Sequence, residues 1–182
     1  MRFLFIFMMI FVTFNPTYSR RYCIARIRKM IRRFVGKDPK FRNWGWNSGG
    51  VFLLEVEPHE LAEKMWMENP DHVHTILPID RMVKEEYDDI EKAMLELAYD
   101  KIGQNETFGV KVRKRRTNLH SSIITREFGR AIQERFHHSV DLKNPDKLVL
   151  VTLLSPVAMI SVLNKREQKL YRRESRLKMR QS

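Results

Sequence analysis

A dense block of positive charge is the strongest indication of chemistry in this sequence. Five cations fall within six positions: Lys111, Arg113, Lys114, Arg115 and Arg116. The polar run Thr117–Ser122 follows at once. Like charges at this spacing repel each other, and a polyanion relieves that repulsion. The block therefore predicts a surface that binds phosphate groups, and the alternative is a solvated basic face without a partner.

The net charge of +12 is concentrated in one part of the chain. Residues 1–100 carry 15 Lys and Arg against 15 Asp and Glu, whereas residues 101–182 carry 19 against 7. A smaller basic region lies in residues 20–42, with ten cations and one acid. Such clustering is typical of nucleic-acid-binding proteins.

The sequence lacks the common catalytic motifs. It contains no Gly-rich phosphate loop, dinucleotide fingerprint, His-Glu-x-x-His or Cys-x-x-Cys. The run Arg126–Ala131 loosely matches the Arg-x-x-Gly-x-Gly/Ala pattern of acetyl-CoA-binding acetyltransferases, but Gly129 is expected inside a helix and not in a phosphate-binding loop. We therefore predict no catalytic residue and no cofactor, and keep a small acetyl-CoA-dependent acyltransferase as the alternative.

Cysteine and histidine usage excludes other site classes. The single cysteine, Cys23, allows no intramolecular disulfide and suits a reducing compartment. The six histidines show no recognised ligand spacing, so no metal site is expected. His120 is interpreted either as a surface loop residue or as an RNA contact. Trp66 is expected in a core, whereas Trp44 and Trp46 are open between packing and base stacking.

The N-terminal apolar run, residues 3–12, permits two interpretations. It resembles the hydrophobic region of a signal peptide, but Asn15–Ser19 offers no small-x-small cleavage site. About a dozen apolar residues are also too few to span a bilayer, which needs about 20. We predict a buried strand that ends at Asn15-Pro16, a cytoplasmic protein and no membrane association, and leave open whether residues 1–7 belong to the native chain.

Residues 1–82 predict a first α+β domain. After the N-terminal strand, Ser19 can cap a helix that runs to about Val35 and stops at Gly36. A strand at 51–56, a helix at 58–68 and a strand at 75–79 follow, with Pro78 placing the last strand at an edge or near a strand end. The predicted order is β-α-β-α-β.

Residues 83–163 predict a second α+β domain. An acidic connection and helix occupy 83–106, and Phe108, Val110 and Val112 alternate as a strand. A helix is expected from Ser121 or Ser122 to about Phe136, followed by two apolar strands joined by a tight hairpin at Ser155-Pro156. Residues 164–182 hold eight cations and two acids, and they predict either a solvent-exposed basic helix or a disordered tail, which could add an arm on RNA.

The second domain resembles the THUMP family. The resemblance rests on the basic run Phe108–Arg116, the pair Ser121-Ser122, a helix containing Gly129, and Val140–Asp146 before an apolar strand. Residues 1–82 are similar to the ferredoxin-like domain that precedes THUMP in tRNA-modifying proteins. The resemblance implies that both domains together recognise tRNA, chiefly at its acceptor end.

The resemblance also implies a functional role. THUMP enzymes attach a methyltransferase, deaminase or sulfur-transfer domain, which the 19 residues after Leu163 cannot form. The chain is therefore similar to the stand-alone THUMP adaptor that presents tRNA to a separate cytidine acetyltransferase, and the alternative is a subunit that serves another tRNA-modifying enzyme. Asp141 and Pro145 are expected to shape a loop. The residues expected to face RNA are Lys111, Arg113, Lys114, Arg115, Arg116, Ser121, Ser122, Arg126, Arg130, Lys143 and Asn144.

Overall fold

The computed structural model describes residues 8–43 and 46–181, which form two compact units. The first unit contains the described residues up to Ile79 together with those from Lys169 onward, and the second contains Asp80–Gln168. The boundary lies three residues before the position expected from the sequence. The positions before Met8, where the native start is in question, and Trp44 lie outside the described residues.

The first unit is a four-stranded antiparallel sheet covered by helices. Its elements are β1 Met8–Phe14, α1 Arg20–Val35, β2 Lys40–Arg42, β3 Gly49–Leu54, α2 Pro58–Glu68 and β4 Val73–Ile79. The strand order is β2-β3-β1-β4, so β1 is central and β4, which carries Pro78, lies at an edge as predicted. The sequence pattern missed β2. With that strand the order becomes βαββαβ, which is the ferredoxin-like arrangement.

The N-terminal apolar run forms a buried strand over its described part. Ile10 and Val12 of β1 are fully buried, and Phe11 packs edge-on against Trp46 at a centroid distance of 5.9 Å. The prediction of a strand is confirmed for residues 8–14. Trp46, which was open between packing and stacking, packs in the core, as does Trp66.

Helix α1 begins and ends where its sequence signals predict. The Ser19 hydroxyl accepts a hydrogen bond from the Tyr22 amide, and Gly36 takes a left-handed conformation with φ 79°. Cys23, Ile27 and Ile31 are buried on its inner face, at helical spacing. The other faces of α1 carry its seven cations.

The C-terminal segment is helical, as one of its two interpretations predicts, but it is not exposed throughout. It forms α6 Lys165–Leu170 and α7 Arg173–Gln181. Tyr171 is buried and its carbonyl accepts a hydrogen bond from the Ile76 amide of β4. Arg176 is 2% exposed because its guanidinium donates to Asn69 Oδ1 and to the Leu170 carbonyl. These hydrogen bonds, which composition does not reveal, accompany the burial of Arg176, whereas Lys165, Arg166 and Lys169 are exposed.

The second unit has a mixed sheet with the order β5-β8-β7-β6. Its elements are β5 Arg81–Lys84, α3 Tyr87–Lys101, β6 Phe108–Arg116, β7 Lys147–Leu154 and β8 Val157–Asn164. Strands β6 and β7 are parallel, and the other pairs are antiparallel. The sequence pattern missed β5, which spans the predicted domain boundary between residues 82 and 83. The two units together confirm the predicted α+β class.

One helical run connects β6 to the loop before β7. It consists of α4 Ser121–Ile123, a π-helical turn Ile124–Phe128 and α5 Gly129–Phe136. Ile124, Phe128 and Ile132 are buried against the sheet together with Ile90 and Met94 of α3. The run confirms the predicted helix, and the π turn is an addition that periodicity did not reveal. Among the described residues no helix is long and apolar enough to cross a bilayer.

Candidate nucleic-acid interface

The basic block occupies the carboxyl end of β6, an edge strand. Phe108 and Val110 are buried in the core, while Lys111 and the last three residues, Lys114, Arg115 and Arg116, are exposed. The transition from apolar to basic residues along one strand therefore divides β6 into a buried anchor and an exposed cationic end. The sheet core holds this end rigidly in place.

A β-bulge changes the direction of the cations. Lys114 pairs with Leu153 of β7, but Arg116 pairs with Leu154, which leaves Arg115 as the extra residue. Alternation along a regular strand would place Lys114 and Arg116 on the same face. The bulge instead returns Arg116 to the face of Arg113. The block therefore presents charge on both faces of the sheet edge.

The exposed cations of this block have no carboxylate partners within the described ranges. Lys111, Lys114, Arg115 and Arg116 make no ion pair there, whereas Arg126 pairs with its neighbour Glu127 at 2.9 Å. Uncompensated cations on a rigid strand attract a polyanion most strongly. The carboxyl end of β6 thus presents three consecutive exposed cations, which makes it the candidate anion-binding surface of the second unit.

The helix that begins at Ser121 adds hydrogen-bond donors next to this charge. His120 precedes α4 and its side chain makes no capping hydrogen bond. The first amides of a helix lack intrahelical partners, and an uncapped N-terminus attracts anions. The His120 amide donates to the Tyr87 hydroxyl at 2.8 Å, which attaches the helix start to α3.

A cavity of about 430 Å³ adjoins the end of β6 and this helix start. Its lining residues are Glu85, Arg116, Thr117, Asn118, Leu119 and Ser155. Thr117 and Asn118 were not among the predicted site residues, although they directly follow the basic block. Both carry hydrogen-bond groups that can reach a sugar or phosphate.

The remaining predicted residues lie away from this end. Asp141 Oδ1 accepts hydrogen bonds from the amides of Lys143 (2.9 Å) and Asn144 (3.0 Å), so the loop turns beside the amino end of β6. These amides, Asn144 first, lower the pKa of Asp141. The ends of β6 are about 26 Å apart at roughly 3.3 Å per residue. Lys143 and Asn144 are therefore exposed but separate from Arg116, and Asp141 shapes the loop as expected.

The predicted residues of the helical run lie between the two ends of β6. Ser122, Arg126 and Arg130 are exposed at four-residue intervals along the run. A methyl group on Gly129 would lie 3.6 Å from Val110, which places Arg130 near the amino half of β6. Of the predicted set, Lys114, Arg115 and Arg116 thus lie together at the carboxyl end of β6, and Ser121 and Ser122 follow at the start of the helical run.

Gly129 does not lie in a phosphate-binding loop. Its φ of −61° and ψ of −42° are helical, and a π turn precedes it. A pyrophosphate loop needs free backbone amides at a helix start, whereas Gly129 lies inside the helical run. Within residues 8–43 and 46–181, no cluster of three His, Cys, Asp or Glu side chains could hold a metal ion.

The second unit contains a THUMP domain. Residues 84–163 match the family model described as the THUMP domain. This match coincides with β6, the helical run and the β7–β8 hairpin that carry the candidate interface.

Two sequence relatives share most of this chain. A probable tRNA sulfurtransferase of Listeria welshimeri is 30% identical over 131 residues, which cover 70% of this chain and 32% of that protein. An uncharacterized protein of Methanocaldococcus jannaschii, MJ0421, is 30% identical over 125 residues, covering 68% of this chain and 34% of its own length. The chain thus spans about a third of the length of these curated relatives.

Solved structures share the fold. PH1313 from Pyrococcus horikoshii aligns with a TM-score of 0.65 and 18% identity over 86% of this chain and 54% of that chain. A 4-thiouridine synthetase, solved as an RNA complex with bound ATP, aligns with a TM-score of 0.63 and 19% identity over 86% of this chain and 41% of its own. At identities of 18% and 19%, these similarities show that the fold is shared and nothing more.

Proposed function

We propose that this chain binds tRNA through the carboxyl end of β6 and the start of α4, and presents it to a separate tRNA-modifying enzyme. The observation that carries the proposal is the group of exposed cations, Lys114, Arg115 and Arg116, without carboxylate partners in the described structure, on a THUMP domain. Phosphate contacts from such side chains position an RNA without reading its sequence.

The comparisons support tRNA as the polyanion. The Listeria relative is named a probable tRNA sulfurtransferase, and the structural relative 4-thiouridine synthetase was solved with RNA. The uncapped helix start and the polar cavity at Thr117 and Asn118 add donors for phosphate or ribose oxygens. Cations on a flexible tail would not be held at fixed positions relative to these donors.

The proposed role is non-catalytic. Among the described residues, no cluster of His, Cys, Asp or Glu side chains could hold a metal ion. Gly129 lies within a helix and not in a cofactor-binding loop. An adaptor raises the effective concentration of tRNA at the active site of its partner. A tRNA cytidine N4-acetyltransferase is the proposed partner, on the basis of the resemblance to the stand-alone THUMP adaptor, and the proposed location is the cytoplasm.

Reconstitution tests this function. We expect the purified protein with tRNA and acetyl-CoA to form no acetylcytidine, and to stimulate acetylation when the acetyltransferase of its host is added. The variant Lys114→Glu/Arg116→Glu should abolish the stimulation. Lys92→Glu/Arg135→Glu is the matched control, because both residues are exposed in the second unit, away from the end of β6, and the change in charge is the same.

The outcomes distinguish the alternatives. Acetylation by the purified protein alone would refute the adaptor role and support the acyltransferase. Mass spectrometry of tRNA nucleosides from a deletion strain identifies the modification. If acetylcytidine is unchanged and another modified nucleoside is lost, the adaptor role stands and the proposed partner is wrong.

A further inference from the structure

Helix α1 of the first unit carries a polar stripe outside the interface described above. Tyr22, Arg26, Lys29 and Arg33 follow one another at intervals of four, three and four residues. This spacing places them in a line on one face of a helix. The buried face is separate and contains Cys23, Ile27, Met30 and Ile31.

A cavity of about 500 Å³ lies beside this stripe. Its lining includes Arg26, Lys29, Arg33 and His72. Arg33 pairs with Glu68. Arg26 and Lys29 have no carboxylate partner in the described part of the chain, so they are available to an anion.

His72 adds a buried group with an unused acceptor. Its side chain is 4% exposed, and Nδ1 lies 3.4 Å from Asp71 Oδ1. A hydrogen bond from the Tyr18 hydroxyl lowers the pKa of Asp71, which is therefore ionised and can only accept. Burial lowers the pKa of His72 and favours the neutral ring.

This pairing determines the tautomer of His72. The proton must lie on Nδ1, because it donates to Asp71, and Nε2 then presents a lone pair. Nε2 is buried and has no hydrogen-bond partner within the described residues. A neutral acceptor next to two free cations fits a ligand that combines a hydroxyl donor with a phosphate, which describes a ribonucleotide.

Tyr22 supplies an aromatic surface at the start of the stripe. It is 44% exposed, its ring stacks on Tyr18 at 5.4 Å, and the Arg26 guanidinium lies 6.0 Å from the ring centroid. Tyr22 also meets the His72 ring edge-on at 6.0 Å. Aromatic side chains beside cations are the platforms on which unpaired bases stack.

We propose that the α1 stripe and its cavity form a second RNA-binding site, which holds one unpaired nucleotide. Arg26 and Lys29 bind the phosphate, His72 Nε2 accepts a hydrogen bond from the ribose 2′-hydroxyl, and the base contacts the part of the Tyr22 ring that Tyr18 and Arg26 leave exposed. The inference rests on the proposed RNA-binding function but uses none of the residues of the β6 interface. A membrane surface fits less well, because Tyr22 is the only large apolar side chain of α1 that is exposed.

Paired charge reversals on α1 test the site. We expect Arg26→Glu/Lys29→Glu to weaken tRNA binding on the order of tenfold or more, through the loss of two phosphate contacts. Arg21→Glu/Arg28→Glu is the control with the same charge change on a different face of the helix, and it should have a much smaller effect. Equal effects of the two variants would show that only the total charge of α1 matters and not the position of the cations. That result would overturn the proposal.

Sugar discrimination tests the role of His72. The probes are single strands of one sequence, made as RNA and as DNA. We expect the wild type to prefer RNA, His72→Phe to lose most of that preference, and His72→Gln, which retains an acceptor, to keep part of it. Tyr22→Ala, at a partly exposed position, should weaken binding of both strands on the order of tenfold. An unchanged RNA preference in a folded His72→Phe variant, together with unchanged binding by Tyr22→Ala, would overturn the site.

The β6 variant separates this inference from the proposed function. Loss of tRNA binding by Lys114→Glu/Arg116→Glu alone, with the α1 variants unaffected, would refute the second site and retain the first. Binding of tRNA that no variant changes would refute both. Binding of phosphatidylserine vesicles that depends on Arg26 and Lys29 and exceeds that of RNA would overturn the choice of ligand.

Discussion

At the residue scale, Asp146 shows how one carboxylate fixes the geometry at the amino end of β6. It accepts hydrogen bonds from the Thr107 amide (2.9 Å) and hydroxyl (2.8 Å), and Lys165 Nζ lies 2.8 Å away. The Asp146 amide in turn donates to the Thr107 hydroxyl. These contacts, Lys165 first, hold the pKa of Asp146 far below its usual range.

A carboxyl group with a lowered pKa in the folded state stabilises the protein above its unfolded pKa, about 3.9, and loses that contribution as the pH falls. We therefore expect Asp146→Asn to lower the melting temperature at neutral pH. The difference from the wild type should shrink below about pH 4, where the unfolded chain binds the proton. Thermal melts between pH 3 and 7 measure this, with Asp100→Asn at an exposed position as the control. A difference that does not depend on pH would contradict the assigned ion pair.

At the element scale, glycines in two backbone conformations predict opposite effects of the same substitution. Gly36 follows α1 with φ 79°, and a Cβ there would meet nothing within 4 Å, so Ala is strained only by the backbone. Gly129 has a helical φ of −61°. We expect Gly36→Ala to lower the free energy of unfolding by about 1 kcal/mol, and Gly129→Ala to leave it unchanged or raise it by up to about 1 kcal/mol.

Urea unfolding of both variants measures these changes. Gly129→Ala should also retain RNA binding, since the proposed interface needs no glycine at this position. Destabilisation by Gly129→Ala of the same size as by Gly36→Ala would show that close packing, not conformation, requires Gly129.

The long elements were predictable because their periodicity and caps agree. Helix α2 has the bounds expected from Pro58, and α1 those expected from Ser19 and Gly36. Strands β2 and β5 were missed because they are short and partly polar, so that neighbouring strands determine their conformation. The burial of Arg176 was also missed, since its partners, Asn69 and Leu170, are set by the folded chain.

The candidate interface was predictable in composition but not in arrangement. The charge of the block indicated an anion-binding surface, and the structure places Lys114, Arg115 and Arg116 together. The bulge at Arg115 and the Arg126–Glu127 pair have no sequence signal. The loop of Lys143 and Asn144 lies at the other end of β6 because β6 and β7 are parallel, which requires the chain to return to the amino end.

At the scale of the whole molecule, the excess of cations predicts strongly salt-dependent tRNA binding. If about six phosphates are neutralised, log K should fall with log salt at a slope of roughly −4 to −5. Arg115→Ala and Arg116→Ala should each flatten the slope by about one unit and weaken binding to all tRNAs alike. Lys92→Ala, at an exposed position on α3, should leave the slope unchanged. Filter binding at several salt concentrations decides this, and a slope near zero would rule out the electrostatic interface.

The position of β1 leads to a prediction about the mature chain. Since β1 lies between β3 and β4, removal of residues up to Ser19 would remove a central strand and its buried Ile10 and Val12. We expect the intact mass of the protein from its native host to include β1. A mass that corresponds to loss of residues up to Ser19 would instead support the secretory interpretation.

The edge position of β6 gives its cations a further consequence. In the described sheet β6 pairs with β7, and on its outer edge only Phe108 forms a bridge, to Val140. The rest of that edge exposes backbone groups that could pair with a strand of another copy. Charged side chains on an edge strand oppose such pairing. Salt or substitution that weakens this repulsion should therefore promote self-association, and RNA bound at the proposed interface should oppose it.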